Sequence, residues 1–188
     1  MATILTKGIV IRKVAHKESD CLYIIYTEKL GKVGTIVKSG KKITSKLSCH
    51  LALFSVVDLM LAIGKGYYRV ASAQVSNNFF NSASQLKKSF IASYFIEALD
   101  HLTSYDSCDI KLFEISQKFL LSLNDCPSVK AGVVLLNQSL FELLTQVGYQ
   151  PVVKSTNQRQ LISSFNKIIV DASEKEMKSY GFLLKCFK

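Results

Sequence analysis

Apolar and polar side chains alternate with a period of two over residues 4–75, which is the pattern of strands with one buried face. Gly8 interrupts the first strand and predicts a bulge or a sharp bend there. A turn at residues 28–31 predicts a hairpin, and Gly64, Lys65 and Gly66 predict a second turn. The predicted strands are residues 4–12, 21–27, 32–38, 51–63 and 67–75.

Five short strands on this scale are typical of a small Greek-key barrel of the OB type, although an SH3-like barrel has a similar strand count. Near Ser82 the periodicity changes from two to 3.6. The predicted helical stretches are residues 83–102, 109–123, 129–147 and 173–187. The sequence therefore predicts an α+β protein, all-β then all-α. A five-stranded OB-fold barrel over residues 1–80 is followed by a helical bundle over residues 81–188, joined near residues 77–84.

The positive charge lies mainly in the first part of the chain. The net charge is +10, and residues 1–80 hold 12 Lys and Arg against 4 acids, a net of +8. Only Arg12, Arg69 and Arg159 are arginines. Because Arg reads guanine bidentately whereas Lys acts as a point charge on phosphate, this composition favours binding of a polyanion without sequence preference.

Residues 38–46 carry four lysines, one glycine, three hydroxyls and no acid between two apolar segments. Such a segment is too polar to bury, so it predicts an exposed basic loop whose lysines and hydroxyls contact phosphate oxygens. A solvated turn is the alternative interpretation.

Other features exclude several classes of protein. The five cysteines are scattered and none forms a C-x-x-C pair, which argues against a zinc site or a disulfide framework. The longest apolar run, residues 51–63, is too short for a transmembrane helix, and the N-terminus lacks the pattern of a signal peptide. We therefore expect a cytoplasmic protein.

A set of short motifs is distinctive in its order and spacing. In the predicted barrel these motifs are Lys7-Gly8-Ile9-Val10-Ile11-Arg12, Glu18-x-Asp20-x-Leu22, Tyr26-Thr27-Glu28, Gly31, Lys38-Ser39-Gly40, Ser45, Leu51, Phe54 and Gly64-Lys65-Gly66. In the helical part they are Leu140-Phe141-Glu142-Leu143-Leu144, Gly148 and Pro151. Together they resemble the bacterial recombination mediator and DNA repair protein RecO over roughly residues 1–153.

The resemblance implies an OB-fold and a helical domain that bind single- and double-stranded DNA, anneal complementary strands and associate with the nucleoid. It also implies RecA loading, with RecR, onto DNA coated by single-strand binding protein (SSB). Many members carry a zinc module after the Pro of the helical domain. Here Thr156 and Arg159 stand where its first C-x-x-C would fall, so we expect neither this module nor any other cofactor.

The candidate nucleic-acid-binding residues are those on the predicted basic face of the barrel. They are Lys7, Arg12, Lys13, Lys38, Lys41, Lys42, Lys46, Lys65, Tyr67 and Arg69. Aromatic side chains would supply stacking platforms for bases, although most barrel aromatics belong to the core. Tyr67 and Tyr68 are adjacent on a strand, so one of them points outward.

The candidate partner site lies in the helical part. A groove around Phe90, Tyr94, Phe95, Phe113 and Phe119 would take the acidic, Phe-ended SSB tail. Its predicted basic rim is Lys87, Lys88 and Lys118. Each of these aromatics also fits a place in the helical core.

No nucleophile with a recognisable general base and no phosphate-binding G-x-x-x-x-G-K-[ST] motif is present, so we expect no enzyme. Two alternatives stay open. One is an RNA-binding OB-fold protein of the translation apparatus. The other is a metal-dependent hydrolase in which His16, Glu18 and Asp20 lie on one face of a strand, where they would also fit a polar loop that caps backbone amides.

Overall fold

A computed structural model describes residues 2–42, 45–64, 66–77, 86–152 and 156–187. The chain forms two compact units. The first comprises residues 1–79 and 104–113, and the second comprises residues 80–103 and 114–188.

Five strands of the first unit form a closed barrel in the order β1-β2-β3-β5-β4. They are β1 (Thr3–His16), β2 (Asp20–Thr27), β3 (Gly31–Val37), β4 (Val56–Ala62) and β5 (Tyr68–Asn77). Strands β3 and β5 pair in parallel, and the other neighbours pair antiparallel. This Greek-key order confirms the predicted OB-type barrel.

Strand β1 closes the barrel because it pairs with two strands. Its residues 3–9 pair with β4, and its residues 8–16 pair with β2. The change of partner occurs at Gly8, where an added Cβ would lie 2.6 Å from Ile25 Cγ2 and 2.9 Å from Leu59 Cδ1. The register shift lies between Val10 and Arg12 rather than at the glycine. Gly8 therefore serves close packing inside the barrel, and the bulge follows it.

Inward-facing side chains of all five strands, together with Leu51 of the β3–β4 connection, form the barrel core. They are Val10, Cys21, Tyr23, Ile25, Val33, Val37, Leu51, Val57, Leu59, Leu61, Val70 and Ala73.

The predicted fourth strand starts too early, because residues 51–55 form turns after a short 3₁₀ helix, Ser48–His50. Phe54 has a left-handed φ of 68°, which no strand residue adopts, and Ser55 Oγ donates to the Ala52 carbonyl at 2.6 Å. Leu51 is nonetheless buried in the barrel core. Leu51 is thus apolar because it is buried in the barrel, although it lies outside any strand, whereas Leu53 is 45% exposed. The segment joins β1 at its end, where the Phe54 N–H donates to the Val10 carbonyl at 3.0 Å.

Residues 104–113 pack within the barrel unit although they follow the first helix in the chain. The Asp106 N–H donates to the Lys32 carbonyl at 3.0 Å, and the Tyr26 hydroxyl donates to the Asp109 carbonyl at 3.3 Å. Gly31, with a φ of 67°, permits this approach, since a Cβ there would lie 1.9 Å from the Ser107 carbonyl oxygen.

The helices are α1 (Leu86–Leu102), α2 (Ile110–Asp125), α3 (Val129–Gln146), α4 (Gln158–Ser173) and α5 (Tyr180–Leu183), followed by a 3₁₀ turn, Leu184–Phe187. Residues 83–85 of the first predicted helix lie outside the described residues. In the core of the second unit the rings of Phe95 and Phe119 stack with centroids 4.1 Å apart. The Tyr94 hydroxyl donates to Asn166 Oδ1 at 3.0 Å, and burial raises the pKa of Tyr94.

The sequence analysis missed α4 because its buried stripe is narrow: Leu161, Ile162, Phe165 and Ile169. The prediction of one amphipathic stretch over residues 173–187 was wrong. Glu174 adopts a left-handed φ of 55° and ends α4 there. The Glu97 carboxylate then accepts the backbone N–H groups of Lys178 and Ser179 and the Ser179 hydroxyl.

We expect Gly8→Ala to destabilise the barrel, because the new methyl group would overlap Ile25 and Leu59 in a closed core. Overpacking of this kind costs about 1–3 kcal/mol in the free energy of unfolding. Chemical denaturation followed by circular dichroism measures the change. Gly181→Ala is the matched control, since no heavy atom lies within 4 Å of its added Cβ. Equal stability of the two variants would contradict the packing role of Gly8.

Candidate nucleic-acid interface

The β1–β2 turn and the β3–β4 loop are hydrogen-bonded together at one end of the barrel. The Lys41 N–H donates to the Ser19 carbonyl at 2.9 Å, and the Ser39 N–H donates to Asp20 Oδ1 at 2.8 Å. The Lys41 ammonium donates to the Lys17 carbonyl at 2.6 Å. Within the loop, the Ser48 hydroxyl donates to the Gly40 carbonyl at 2.7 Å. The two connections therefore form one hydrogen-bonded surface.

This surface carries a group of exposed lysines that we call the lysine end: Lys13, Lys17, Lys38, Lys41, Lys42 and Lys46. Lys17 was not among the sequence-predicted residues, and its left-handed φ of 50° marks the β1–β2 turn that brings it beside the loop. The Lys13 ammonium lies 5.5 Å from the ring centroid of Tyr23. Ser45 Oγ accepts the Ser48 N–H at 3.4 Å, and Thr44 lies outside the described residues.

Two rows of side chains cross the outer face of the barrel next to the lysine end. Residues opposite one another in neighbouring strands share a face of the sheet. The pairing register therefore places Arg12, Ile24 and Gly34 in one row, and Val14, Leu22, Ile36 and Arg69 in the next. Tyr67 extends the first row because its ring lies against Gly34. Arg12 and Arg69, both predicted to bind nucleic acid, thus flank an apolar strip of β2 and β3.

Tyr67 is 44% exposed and its ring edge lies over Gly34, where an added Cβ would be 2.9 Å from Tyr67 Cδ1. Of the other candidate platforms, Tyr23 and Tyr26 are fully buried, and Tyr68 is half-buried against the core.

Lys7 lies elsewhere on the barrel. It is exposed, it stands opposite Asp58 in the β1–β4 ladder, and it shares an open depression with Glu28. The structure thus places Lys7 beside two carboxylates and away from the lysine end. Lys65 lies outside the described residues.

His16, Glu18 and Asp20 do not form a metal-binding cluster. No group of three His, Cys, Asp or Glu side chains able to hold a metal ion occurs within the described ranges, which include all three residues. Asp20 accepts the Ser39 N–H, and this hydrogen bond is the main cause of a pKa below the ordinary value for that carboxyl. Asp20 therefore caps a backbone amide of the basic loop.

Four aromatics of the expected partner groove are buried in the structure: Tyr94, Phe95, Phe113 and Phe119. The predicted rim residues Lys87 and Lys118 are exposed, whereas the Lys88 ammonium donates to the Asn124 carbonyl at 2.8 Å. Phe90 is half-buried and packs against Phe182, which is 50% exposed, with ring centroids 5.5 Å apart.

A search for membrane-crossing segments finds none among the helices that the structure describes.

Comparison with known proteins identifies the barrel. Residues 1–79 match the family model described as "Recombination protein O N terminal". The chain is 38% identical over 100 residues to DNA repair protein RecO of Clostridium perfringens, a match that covers 53% of this chain and 41% of the relative. It is 30% identical over 149 residues to DNA repair protein RecO of Dehalococcoides mccartyi, covering 79% of this chain and 58% of the relative. In these matches the chain spans about half the length of the curated relatives.

The fold and the matched residues define an OB-fold protein whose curated relatives are named DNA repair proteins. The resemblance seen in the sequence is confirmed, and the barrel, residues 1–79, belongs to the RecO family.

We expect Asp20→Ala to free the Ser39 amide, because it removes the accepting oxygen, and thereby to loosen the contact between the two loops. Hydrogen exchange should become faster at Ser39 while amides of the barrel core keep their protection. The folded-state pKa of Asp20 lies below its ordinary value. The stability that this hydrogen bond contributes is therefore fully present when the pH is above the ordinary pKa. It is lost as the pH falls through the lower, folded-state pKa, so protection of Ser39 should fall only below about pH 4. Unchanged Ser39 exchange in the variant would contradict the capping role.

Proposed function

We propose that this chain binds single- and double-stranded DNA without sequence preference and anneals complementary strands during repair. The observation that carries the proposal is the lysine end, where hydrogen bonds between two barrel connections hold exposed ammonium groups on one surface. The RecO family membership of the barrel supports DNA as the polyanion. Because DNA of the nucleoid would be the substrate, we place the protein in the cytoplasm.

The mechanism follows from charge. Two complementary strands repel each other through their phosphates, and a surface of lysines lowers this repulsion when it binds both strands. Release of condensed counterions supplies much of the affinity. Lysine contacts phosphate as a point charge and leaves the base edges unread, so pairing between the strands selects the partner sequence.

An RNA ligand in translation remains the second candidate, because lysine binds RNA phosphates equally well. The names of the relatives, all DNA repair proteins, favour DNA. A competition assay in which RNA displaces DNA of the same sequence at equal concentration or below would favour the RNA alternative.

We further propose that the helical unit recruits partners and that the protein, with RecR, helps load RecA onto SSB-coated DNA. For the acidic, Phe-ended SSB tail, the available apolar surface beside Lys87 is the Phe90–Phe182 stack. The Lys185 ammonium lies 5.0 Å from the Phe182 ring centroid and adds positive charge there. Lys118, the other exposed residue of the predicted rim, would then contact a partner at a place other than this stack.

We expect Phe182→Ala to weaken binding of a peptide with the SSB tail sequence about tenfold or more, because buried aromatic anchors dominate such contacts. Fluorescence anisotropy of the labelled peptide gives the affinity. Tyr149→Ala is the control, since Tyr149 is exposed in the same unit to a similar degree, 38% against 50%. Binding that survives both Phe182→Ala and removal of the terminal Phe of the peptide would contradict this placement.

The number of phosphate contacts is testable through salt. If the six residues of the lysine end each contact a phosphate of single-stranded DNA, log K should fall with log salt with a slope of about −4. Lys42→Ala/Lys46→Ala should bring the slope to about −3, because each lost contact removes roughly 0.7. Affinity that barely depends on salt would contradict the proposal.

Annealing should depend on the same residues. We expect Lys42→Glu/Lys46→Glu to abolish annealing of complementary oligonucleotides, measured by fluorescence energy transfer between labelled strands. Lys41 is left unchanged because its ammonium holds the Lys17 carbonyl. The control is Lys130→Glu/Lys167→Glu, an identical charge change at exposed positions of α3 and α4. Equal loss in both variants would show that net charge alone, and not the lysine end, drives annealing.

A further inference from the structure

The barrel has an open depression of about 580 Å³ on the outer face of β2 and β3, next to the two cross-strand rows. Leu22 and Gly34, both half-buried, lie at its base over the buried Ile24, and two tyrosines, Tyr67 and Tyr105, stand in its wall. Among the described residues that line it, Asp106 alone is charged. Such a lining suits the flat, apolar face of a base better than a phosphate.

Both rings are exposed on one side and supported by the protein on the other. Tyr67 is 44% exposed and rests over Gly34, whose missing side chain leaves room for the ring. Tyr105 is 51% exposed, and the Lys32 ammonium lies 4.9 Å from its ring centroid. Each tyrosine therefore offers a π-face to solvent while its position is fixed from behind.

The backbone that carries Tyr105 is anchored to the barrel. Tyr105 forms a parallel bridge with Lys32, and the Asp106 N–H donates to the Lys32 carbonyl at 3.0 Å. The close approach of Ser107 to Gly31 completes the attachment. Residues 104–108 thus place an aromatic ring on the barrel face that no strand of the barrel contributes.

Positive charge lies on both sides of this apolar strip. Arg12 and Arg69 belong to β1 and β5, the two strands that flank β2 and β3 in the barrel. Phosphates held at the two arginines would leave the intervening nucleotides over the depression. Asp106 at its wall disfavours a phosphate inside and offers an acceptor to a base N–H.

We infer that Tyr67 and Tyr105 form a two-ring stacking site for unpaired bases, which makes the barrel favour single-stranded over double-stranded DNA. This inference rests on the proposed DNA binding and adds to it a selectivity that lysines cannot provide. Base–aromatic stacking is independent of sequence, because every base has a π-face. Bases within a duplex are already stacked and paired, so only single strands can use the two rings.

The test compares three ligands of equal length: oligo-dT, an abasic oligonucleotide with the same phosphates, and a duplex. The wild-type protein should bind oligo-dT about tenfold or more tightly than the abasic strand. Tyr67→Ala and Tyr105→Ala should each weaken oligo-dT binding about tenfold and leave the abasic and duplex affinities unchanged. Tyr67→Phe and Tyr105→Phe should retain the wild-type preference because a phenyl ring also stacks.

Tyr149→Ala, in the helical unit, is the matched control and should change none of the three affinities. The chain has eight tyrosines and no tryptophan, so quenching of tyrosine emission gives a direct signal of stacking. Oligo-dT should quench the wild type more than the abasic strand does, and Tyr67→Ala/Tyr105→Ala should remove that difference.

The outcomes separate the inference from the proposed function. No binding of any of the three ligands by the wild type would overturn the proposed function. Equal wild-type affinity for oligo-dT and the abasic strand would overturn the stacking site and leave DNA binding in place, a result that needs no variant. An equal loss of affinity for all three ligands in the alanine variants would also overturn the stacking site, because it would assign the tyrosines a structural role.

Discussion

The barrel closes because β1 pairs with β4 through its first half and with β2 through its second half. At the point of exchange the backbone passes so close to Ile25 and Leu59 that only glycine fits. Once β1 is shared in this way, β2 and β3 are held between β1 and β5, and the parallel β3–β5 pair completes the barrel. The positions of the described candidate residues on the barrel strands follow from this closure.

Two kinds of surface result, and they suit different parts of a nucleic acid. At the lysine end, backbone and side-chain hydrogen bonds join two connections, so the lysines share one hydrogen-bonded surface. On the β2–β3 face, apolar residues and supported tyrosine rings form a shallow site with arginine rows beside it. On the proposed function, the first would contact phosphates on either single or paired strands, whereas the second would act only on bases without partners.

The attachment of residues 104–113 to the barrel has a functional consequence. This segment brings Tyr105 to the face where Tyr67 already stands, and it is held by hydrogen bonds to Lys32 and Tyr26. Burial raises the pKa of Tyr26, so its hydroxyl keeps its proton and remains a donor throughout the physiological range. A loop that follows a helix thus supplies part of a barrel site.

The sequence by itself determined the barrel, its strand count, most element boundaries and the basic character of residues 38–46, because periodicity and charge are local properties of the chain. It also carried the RecO family motifs. Local pattern failed at residues 51–55, where Leu51 is buried although it lies outside any strand, and at α4, where the buried stripe is narrow.

Only the tertiary structure decided which charges lie together. It added Lys17 to the loop lysines, placed Lys7 beside Asp58 and Glu28, and buried most of the aromatics expected in a partner groove. It also paired Tyr67 with Tyr105, residues separated in the chain by the whole of α1. These arrangements depend on strand register and on long-range hydrogen bonds, which cannot be predicted from any short stretch of sequence.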